Sequence, residues 1–364
     1  MTARFDFLVD RNDLDRTSWQ EAETGTDTLE PGQVRLAHKR FAFTSNNITY
    51  ARCGEILSYW RYFRAADPWG SIPVWGIGQA VGSRHDGIAE GEAIYGYFPM
   101  SSHLVVAPDQ VKTTGFLDAS AHRATLPRTY NEYIRIDRDP SYDKTIADAH
   151  LVLRPLFGLA FFLAHFLDDA KFFGAANAII SSASSKTAMS LAFQLRRLSP
   201  IRIIGLSAGS NVLFLETSKL YDAIFSYESM GALTDLGPSL FIDIAGNDGV
   251  RFEVHRRLGD RLRYSCGVGM THALPDLAAG KNLPGPAPEF FFTPKHILAR
   301  REAWGADELR RRLRLEWQAF VAHAQSWLKI DHSGGRAAIE HVYAQVLHGK
   351  RSPDRADILA FETM

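Results

Sequence analysis

The sequence predicts an α/β protein: a doubly wound parallel sheet joined to a β-rich domain. Three observations predict it. Residues 150–270 alternate short apolar, strand-like runs with helix-like segments, the pattern of a parallel sheet with helices on its faces. Residues 1–150 hold short apolar runs broken by Gly, Pro and Asn, a β-rich pattern. The chain has 364 residues, the length of about two domains.

The elements follow in order. Val34–Thr44, Pro73–Val81, Glu92–Phe98 and His103–Ala107 read as strands, whereas His122–Tyr142 shows no periodicity. Leu151–Leu167 is the most apolar segment, but Arg154, Pro155 and His165 interrupt it. Its uninterrupted apolar stretch is well short of the roughly 20 residues a bilayer needs, so it reads as a buried helix. Strands are expected at Ala178–Ser182, Ile201–Leu206, Ala223–Ser226, Leu240–Ala245 and Leu262–Val268. Helices are expected at Lys186–Arg197, Val212–Lys219 and Val250–Leu258, the first with Ala188, Leu191, Ala192 and Leu195 on one face. After Leu283–Pro288 the chain runs into helices: Glu302–Ile330 is strongly helical in composition, ended or interrupted by Gly334–Gly335. Arg336–Leu347 reads as another, and Asp357–Phe361 as a closing strand.

Composition excludes several classes. Forty-one basic residues balance 41 acidic ones, so no global attraction to nucleic acid or an anionic membrane is expected. The run Arg310-Arg311-Arg312 with Arg314 reads as a solvated helix face. Two cysteines, Cys53 and Cys266, make neither a disulfide framework nor a zinc knuckle. The N-terminal residues lack the apolar run of a signal peptide. A cytoplasmic protein acting on a small molecule is expected.

In an open parallel sheet, ligands bind beyond the carboxyl ends of the strands where strand order reverses. The first strand–turn–helix of this Rossmann arrangement is the natural phosphate site, because a helix start offers free N–H groups and a positive dipole end. There the sequence reads Ala183-Ser184-Ser185-Lys186-Thr187-Ala188-Met189, without the G-x-G-x-x-G fingerprint. Ser184, Ser185 and Thr187 can donate to phosphate oxygens, and Lys186 adds a charge. A plainer alternative makes Ser184 or Ser185 an N-cap and Lys186 a solvated first-turn residue. The end of the second strand, Gly205-Leu206-Ser207-Ala208-Gly209-Ser210-Asn211, carries no carboxylate to take a ribose 2′-hydroxyl. Its hydroxyl and amide donors, Ser207 and Asn211 among them, suit a 2′-phosphate, so NADP is favoured over NAD.

Almost the whole chain resembles the zinc-independent, quinone-oxidoreductase-like branch of the medium-chain dehydrogenases/reductases. Phe43–Tyr50 resembles that family's active-site strand end, and Gly91–Gly96 its Gly-Asp-x-Val-x-Gly turn. Ser190–Arg197, with Gln194 in step, resembles its helix after the glycine motif. Leu220–Tyr227, Leu240–Gly246 and Arg336–Leu359 resemble its third strand, fourth strand and closing helix and strand. The passages TSNNITYA, SSASSKTA, DIAGN and SCGVGMTH also resemble an uncharacterised bacterial family within or near this superfamily. The resemblance implies a GroES-like β-rich catalytic domain over residues 1–148 and a Rossmann domain over 149–284. It implies that residues 285–364 return to the first domain, and it leaves a homodimer open. It places Gly246 and Cys266-Gly267-Val268 among the cofactor-binding residues, the latter beside the nicotinamide.

The zinc-binding members of the superfamily use a cysteine and a Gly-His-Glu triplet. Thr49 or a neighbour, and Trp75-Gly76-Ile77, stand near those positions, so no metal site is expected. The implied reaction is hydride transfer from NADPH to a quinone or an activated alkene. Tyr50 and Asn46 are the candidates for donating to a developing enolate or phenolate oxygen. The alternatives are an Asn46-Asn47 turn with Tyr50 as an interfacial aromatic, a nucleotide-binding protein without turnover, and a lyase or isomerase on the same fold. Cys266 reads as a small buried residue, and His272 as a lesser proton-donor candidate. Phe290-Phe291-Phe292 and Trp60, Tyr62 and Phe63 are candidates for an apolar pocket lining.

Overall fold

The computed structural model describes residues 3–23, 28–139, 142–268 and 283–362. The chain divides into two compact units. Met1–Val152, Ile330–Arg351 and Arg355–Met364 form the first, Leu153–Lys329 and Ser352–Asp354 the second.

The first unit opens with β1 (Ala3–Asp10), β2 (Thr17–Glu23), β3 (Val34–Phe43), helix α1 (Ser45–Arg52), β4 (Trp69–Gly70) and β5 (Pro73–Ser83). Then come β6 (Ala93–Pro99), β7 (His103–Val106), β8 (Pro108–Asp109), β9 (Gly115–Asp118) and β10 (Glu132–Arg135). Alternation in β3 turns Val34, Leu36 and His38 inward, as a strand with one buried face requires. The stretch 122–142, where periodicity fails, holds β10 and short 3-10 turns.

Helix α2 (Ala147–Asp169) follows. Among the described residues it is the one helix long and apolar enough to cross a bilayer, and 72% of its apolar window is buried. The second unit then runs β11 (Asn177–Ile180), α3 (Lys186–Leu198), β12 (Arg202–Ser207), α4 (Val212–Ser218), β13 (Ala223–Ser226) and β14 (Ser239–Asp243). It continues with α5 (Asp248–Leu258), β15 (Leu262–Gly267), β16 (Glu289–Phe290), α6 (Thr293–Trp304) and α7 (Ala306–Ala324). Among the described residues its six strands lie in the order β13-β12-β11-β14-β15-β16, every neighbouring pair parallel. This is the doubly wound Rossmann order, and strand order reverses between β11 and β14. The central strands are covered on both faces: every residue of β11 and β14 is buried. That burial explains their unbroken apolar character.

The chain ends with β17 (Lys329–Gly334), α8 (Arg336–Leu347) and β18 (Arg355–Ala360). The large sheet of the first unit runs β17-β18-β3-β5-β6-β10-β9-β8, with β7 also on β3. Ile339, Val342, Tyr343 and Val346 of α8 and Leu359 of β18 enter its core with Phe7, Phe41, Phe43 and Val74.

Two expectations are corrected. Glu302–Ile330 is not helical throughout. Gly305, at φ 79, separates α6 from α7, and Lys329 and Ile330 already belong to β17; a glycine in that conformation ends a helix at low steric cost. Nor does 285–364 return to the first unit as a block, because α6 and α7 belong to the second. The cause is the apolar face of α7. Phe320 packs 5.7 Å from Phe157 of α2 and 5.3 Å from Phe193 of α3, ring centre to ring centre.

Candidate functional site

The turn from β11 into α3 stands beside the point where strand order reverses. Ser185 is the N-cap of α3, its hydroxyl accepting the Ala188 N–H at 3.2 Å. Ser182 takes a left-handed backbone at φ 48, a conformation usually left to glycine. Its N–H donates to the Tyr227 hydroxyl at 3.0 Å. The Tyr221 hydroxyl donates to Ala183 O at 2.7 Å. Ala183 lies so close over β12 that a Cβ on Gly205 would meet its Cβ at 2.9 Å. Gly205 therefore does the close-packing work that a fingerprint glycine does elsewhere, but from the neighbouring strand.

Ser184, Ser207 and Asn211, proposed from sequence as separate contacts, come together. Asn211 Nδ2 donates to Ser184 Oγ at 3.0 Å, and the Ser184 and Ser207 hydroxyls are 3.2 Å apart. Lys186 Nζ donates to Pro353 O at 3.4 Å. Thr187 follows in the first turn of α3, half-buried. The N–H groups of Ser184 and Thr187 have no hydrogen-bond partner among the described residues. Donors left over at a helix start suit an anionic diphosphate, so the turn fits such a group.

Sequence reasoning missed three features here. The first is Tyr227. The second is Glu228, which follows β13 and lies 3.6 Å from where a Gly209 Cβ would stand. A carboxylate does reach the loop after β12, carried there by another strand. Its pKa is held down by its own backbone N–H and by the Ser226 hydroxyl. The third is Asp243 at the end of β14. It is buried, and accepts from Ser181 Oγ at 2.9 Å, the Gly246 N–H at 3.0 Å and Arg251 Nη1 at 3.3 Å. Burial pushes its pKa up, against those bonds and the Arg251 charge. The network fixes Gly246, at φ 67, in the loop after β14. The only sequence signal was an acidic residue closing an apolar strand.

Cys266 and Gly267 end β15, and Val268 follows it. The Val268 N–H donates to Asp243 O and Gly267 O accepts from the Phe291 N–H, both at 2.9 Å. Burial pushes the Cys266 thiol up to about 12, so it stays protonated, as a small core residue does. His272 lies outside the described residues.

Asn46 and Tyr50 belong to the first unit. They lie on α1 rather than at a strand end, one helical turn apart. Asn47 supplies the turn chemistry, its Oδ1 accepting the Thr44 N–H at 2.8 Å. Tyr50 is only 6% exposed. Its hydroxyl accepts from Trp75 Nε1 at 3.3 Å, and its ring lies 4.6 Å from Tyr59. Burial raises its pKa far above the usual phenol value. Beneath this aromatic cluster, the buried Arg123 bonds Asp118 at 2.7 Å and Tyr130 O at 2.8 Å. Trp60, Tyr62 and Phe63 belong to the first unit and Phe290–Phe292 to the second; Phe291 stacks 4.2 Å from His296. Arg310 pairs with Asp307, and Arg311 and Arg312 with Glu308. Among the described residues, no group of three or more His, Cys, Asp or Glu side chains is placed to hold a metal.

Comparison with known proteins bears on the whole chain. CurA from Vibrio vulnificus has the same fold, with a TM-score of 0.63 at 12% identity over 100% of this chain and 99% of that one. The yhdH oxidoreductase from Salmonella enterica, solved in complex with NADP, gives 0.53 at 13% over 98% and 100%. A mutant enoyl thioester reductase from Candida tropicalis gives 0.52 at 11% over 99% and 100%. At these identities the likeness shows the fold alone: a GroES-like β-rich domain with a Rossmann domain. No curated protein matches in sequence. The family model described as a protein of unknown function, DUF2855, matches residues 41–352, and the chain belongs to that family.

Proposed function

We propose that the protein is an NADPH-dependent oxidoreductase acting on an electron-poor small molecule, a quinone or an activated alkene. One observation carries the reading: a hydroxyl-rich turn with free N–H donors stands where the parallel sheet reverses strand order, the place where this architecture holds dinucleotides. Proteins of the same fold support it. CurA and the yhdH oxidoreductase are solved with NADPH and NADP, and the Candida tropicalis protein is an enoyl thioester reductase.

The nucleotide, when bound, supplies the hydride. Ser184, Ser185, Lys186 and Thr187 would hold its diphosphate, Ser207 and Asn211 its ribose end, and Gly246 and Cys266–Val268 would lie towards its far end. Tyr50 and Asn46, on α1 of the first unit, would be the hydrogen-bond donors to an acceptor's oxygen. Tyr50 keeps its proton at working pH because burial raises its pKa, so it serves as a hydrogen-bond donor rather than a base.

Titration of protein fluorescence with NADPH and NADH tests the reading, with NADPH expected to bind more tightly; a protein that binds neither ends it. Lys186→Ala should weaken NADPH by about 1–3 kcal/mol, the scale of a charge-assisted hydrogen bond. Unchanged affinity would make Lys186 a structural tether to Pro353. NADPH consumption against quinones and enones separates a reductase from a protein that only binds the nucleotide. Product formed without NADPH loss marks a lyase or isomerase.

A further inference from the structure

The N–H donors around the β11–α3 turn have unequal fates. Ala183 N–H goes to Leu206 O at 2.9 Å and Ser185 N–H to Ser182 O at 2.8 Å. Ala188 N–H goes to the Ser185 cap. These three bonds build the turn. The Ser182 N–H bond does not, because its acceptor is a side chain from elsewhere, the Tyr227 hydroxyl, which also lies 3.4 Å from Ser182 Oγ. Ser182 is the first residue after the β11 segment to take a positive φ. A left-handed residue at such a turn directs its N–H outward, into the concavity where backbone donors collect an anion.

Tyr227 comes from the end of β13, and β12 lies between β13 and β11. To reach Ser182 its side chain crosses the end of β12, where the ribose of a dinucleotide lies in this architecture. Its ring rests against the core formed by Ile204, Leu206, Leu233 and Phe241, yet the residue is half-buried rather than enclosed. Its oxygen offers Ser182 what a phosphate oxygen would offer, without the charge.

We propose that Tyr227 is a built-in occupant of the diphosphate site. It holds the Ser182 N–H until a nucleotide diphosphate displaces it, and so sets how tightly diphosphate ligands bind. The inference rests on the nucleotide reading above and adds a residue that governs it. Displacement exchanges one hydrogen bond for another and forms no covalent bond.

Tyr227→Phe tests it. The variant keeps the ring in the core and removes only the oxygen, and thermal unfolding checks that it is folded. Calorimetric titration of wild type and variant with NADPH, ADP and adenosine reads the effect. NADPH and ADP are expected to bind about three- to tenfold more tightly to the variant, the range of one net hydrogen bond, with adenosine unchanged. Tyr227→Leu should move the diphosphate ligands in the same direction. Equal or weaker NADPH binding by Tyr227→Phe overturns the proposal, as does an equal gain for adenosine. If wild type and both variants all fail to bind NADPH and ADP, the nucleotide reading falls with it; binding by wild type without the gain leaves that reading standing.

Discussion

Glu228 shows how one side chain can oppose its surroundings. The hydroxyls and amide after β12 suit a 2′-phosphate, but the Glu228 carboxylate at Gly209 repels one. Glu228→Gln should therefore raise NADPH affinity relative to NADH by a few-fold, and more at low salt, where exposed charges are less screened. Paired titrations at two ionic strengths check this; an unchanged ratio would make Glu228 an ordinary solvated side chain. The sequence displayed the residue types of the site but not their grouping. Ser184, Ser207 and Asn211 are legible as hydroxyls and an amide near strand ends. That Asn211 bonds Ser184, that Tyr227 reaches Ser182 and that Glu228 reaches Gly209 depend on three strand ends being set side by side. Local pattern carries no trace of that. Tyr50 differs in its local setting: it lies on α1 among Trp75, Tyr59 and Tyr97, where chain position alone suggested a strand end.

Among elements, the β11–α3 turn depends on the absence of a side chain at Gly205. Gly205→Ala would drive a methyl to 2.9 Å from the Ala183 Cβ and 3.0 Å from the Tyr221 ring. The expected cost is about 1–3 kcal/mol, typical of overpacking, with weaker NADPH binding as the turn is displaced. Urea unfolding and the NADPH titration check both; full stability would show that the turn yields freely. The strands and helices from β11 to β15 were legible to within a few residues. Helix α3, for example, was expected over Lys186–Arg197 and spans Lys186–Leu198. Apolar periodicity records burial directly. Gly305 was overlooked because its neighbours on both sides are good helix formers, and only its positive φ reveals the break.

For the molecule as a whole, the buried histidines predict acid sensitivity. Burial lowers the pKa of His38 from 6.5 to about 3, and burial with nearby Arg300 lowers that of His165 from 6.5 to about 4. Below pH 6.5 the unfolded chain takes up protons that the folded chain refuses. Their stabilising contribution is thus complete above pH 6.5 and is lost as pH falls towards the folded values. The melting temperature should be lower at pH 5 than at pH 7.5, and His38→Leu should flatten that slope; a slope that does not change would exonerate His38. At this scale the two-part organisation was legible from the switch between β-rich and alternating patterns. The allocation of α6 and α7 was not, because it rests on Phe157, Phe193 and Phe320 meeting across more than 160 positions of sequence.

The placement of β18 between β17 and β3 governs the order in which the protein can form. The second unit is almost one unbroken stretch, Leu153–Lys329, and its sheet can close while the ribosome is still at work. The first unit cannot. Its strand β3 waits with Phe41, Ala42 and Phe43 unpaired along the side that Asp357, Ile358 and Leu359 will later cover. An open strand edge of that kind recruits other chains, and domains made early in synthesis ordinarily fold first. Here the part made first finishes last, so the interval between making β3 and making β18 is the stage at which a nascent chain is most exposed to aggregation and most in need of a chaperone.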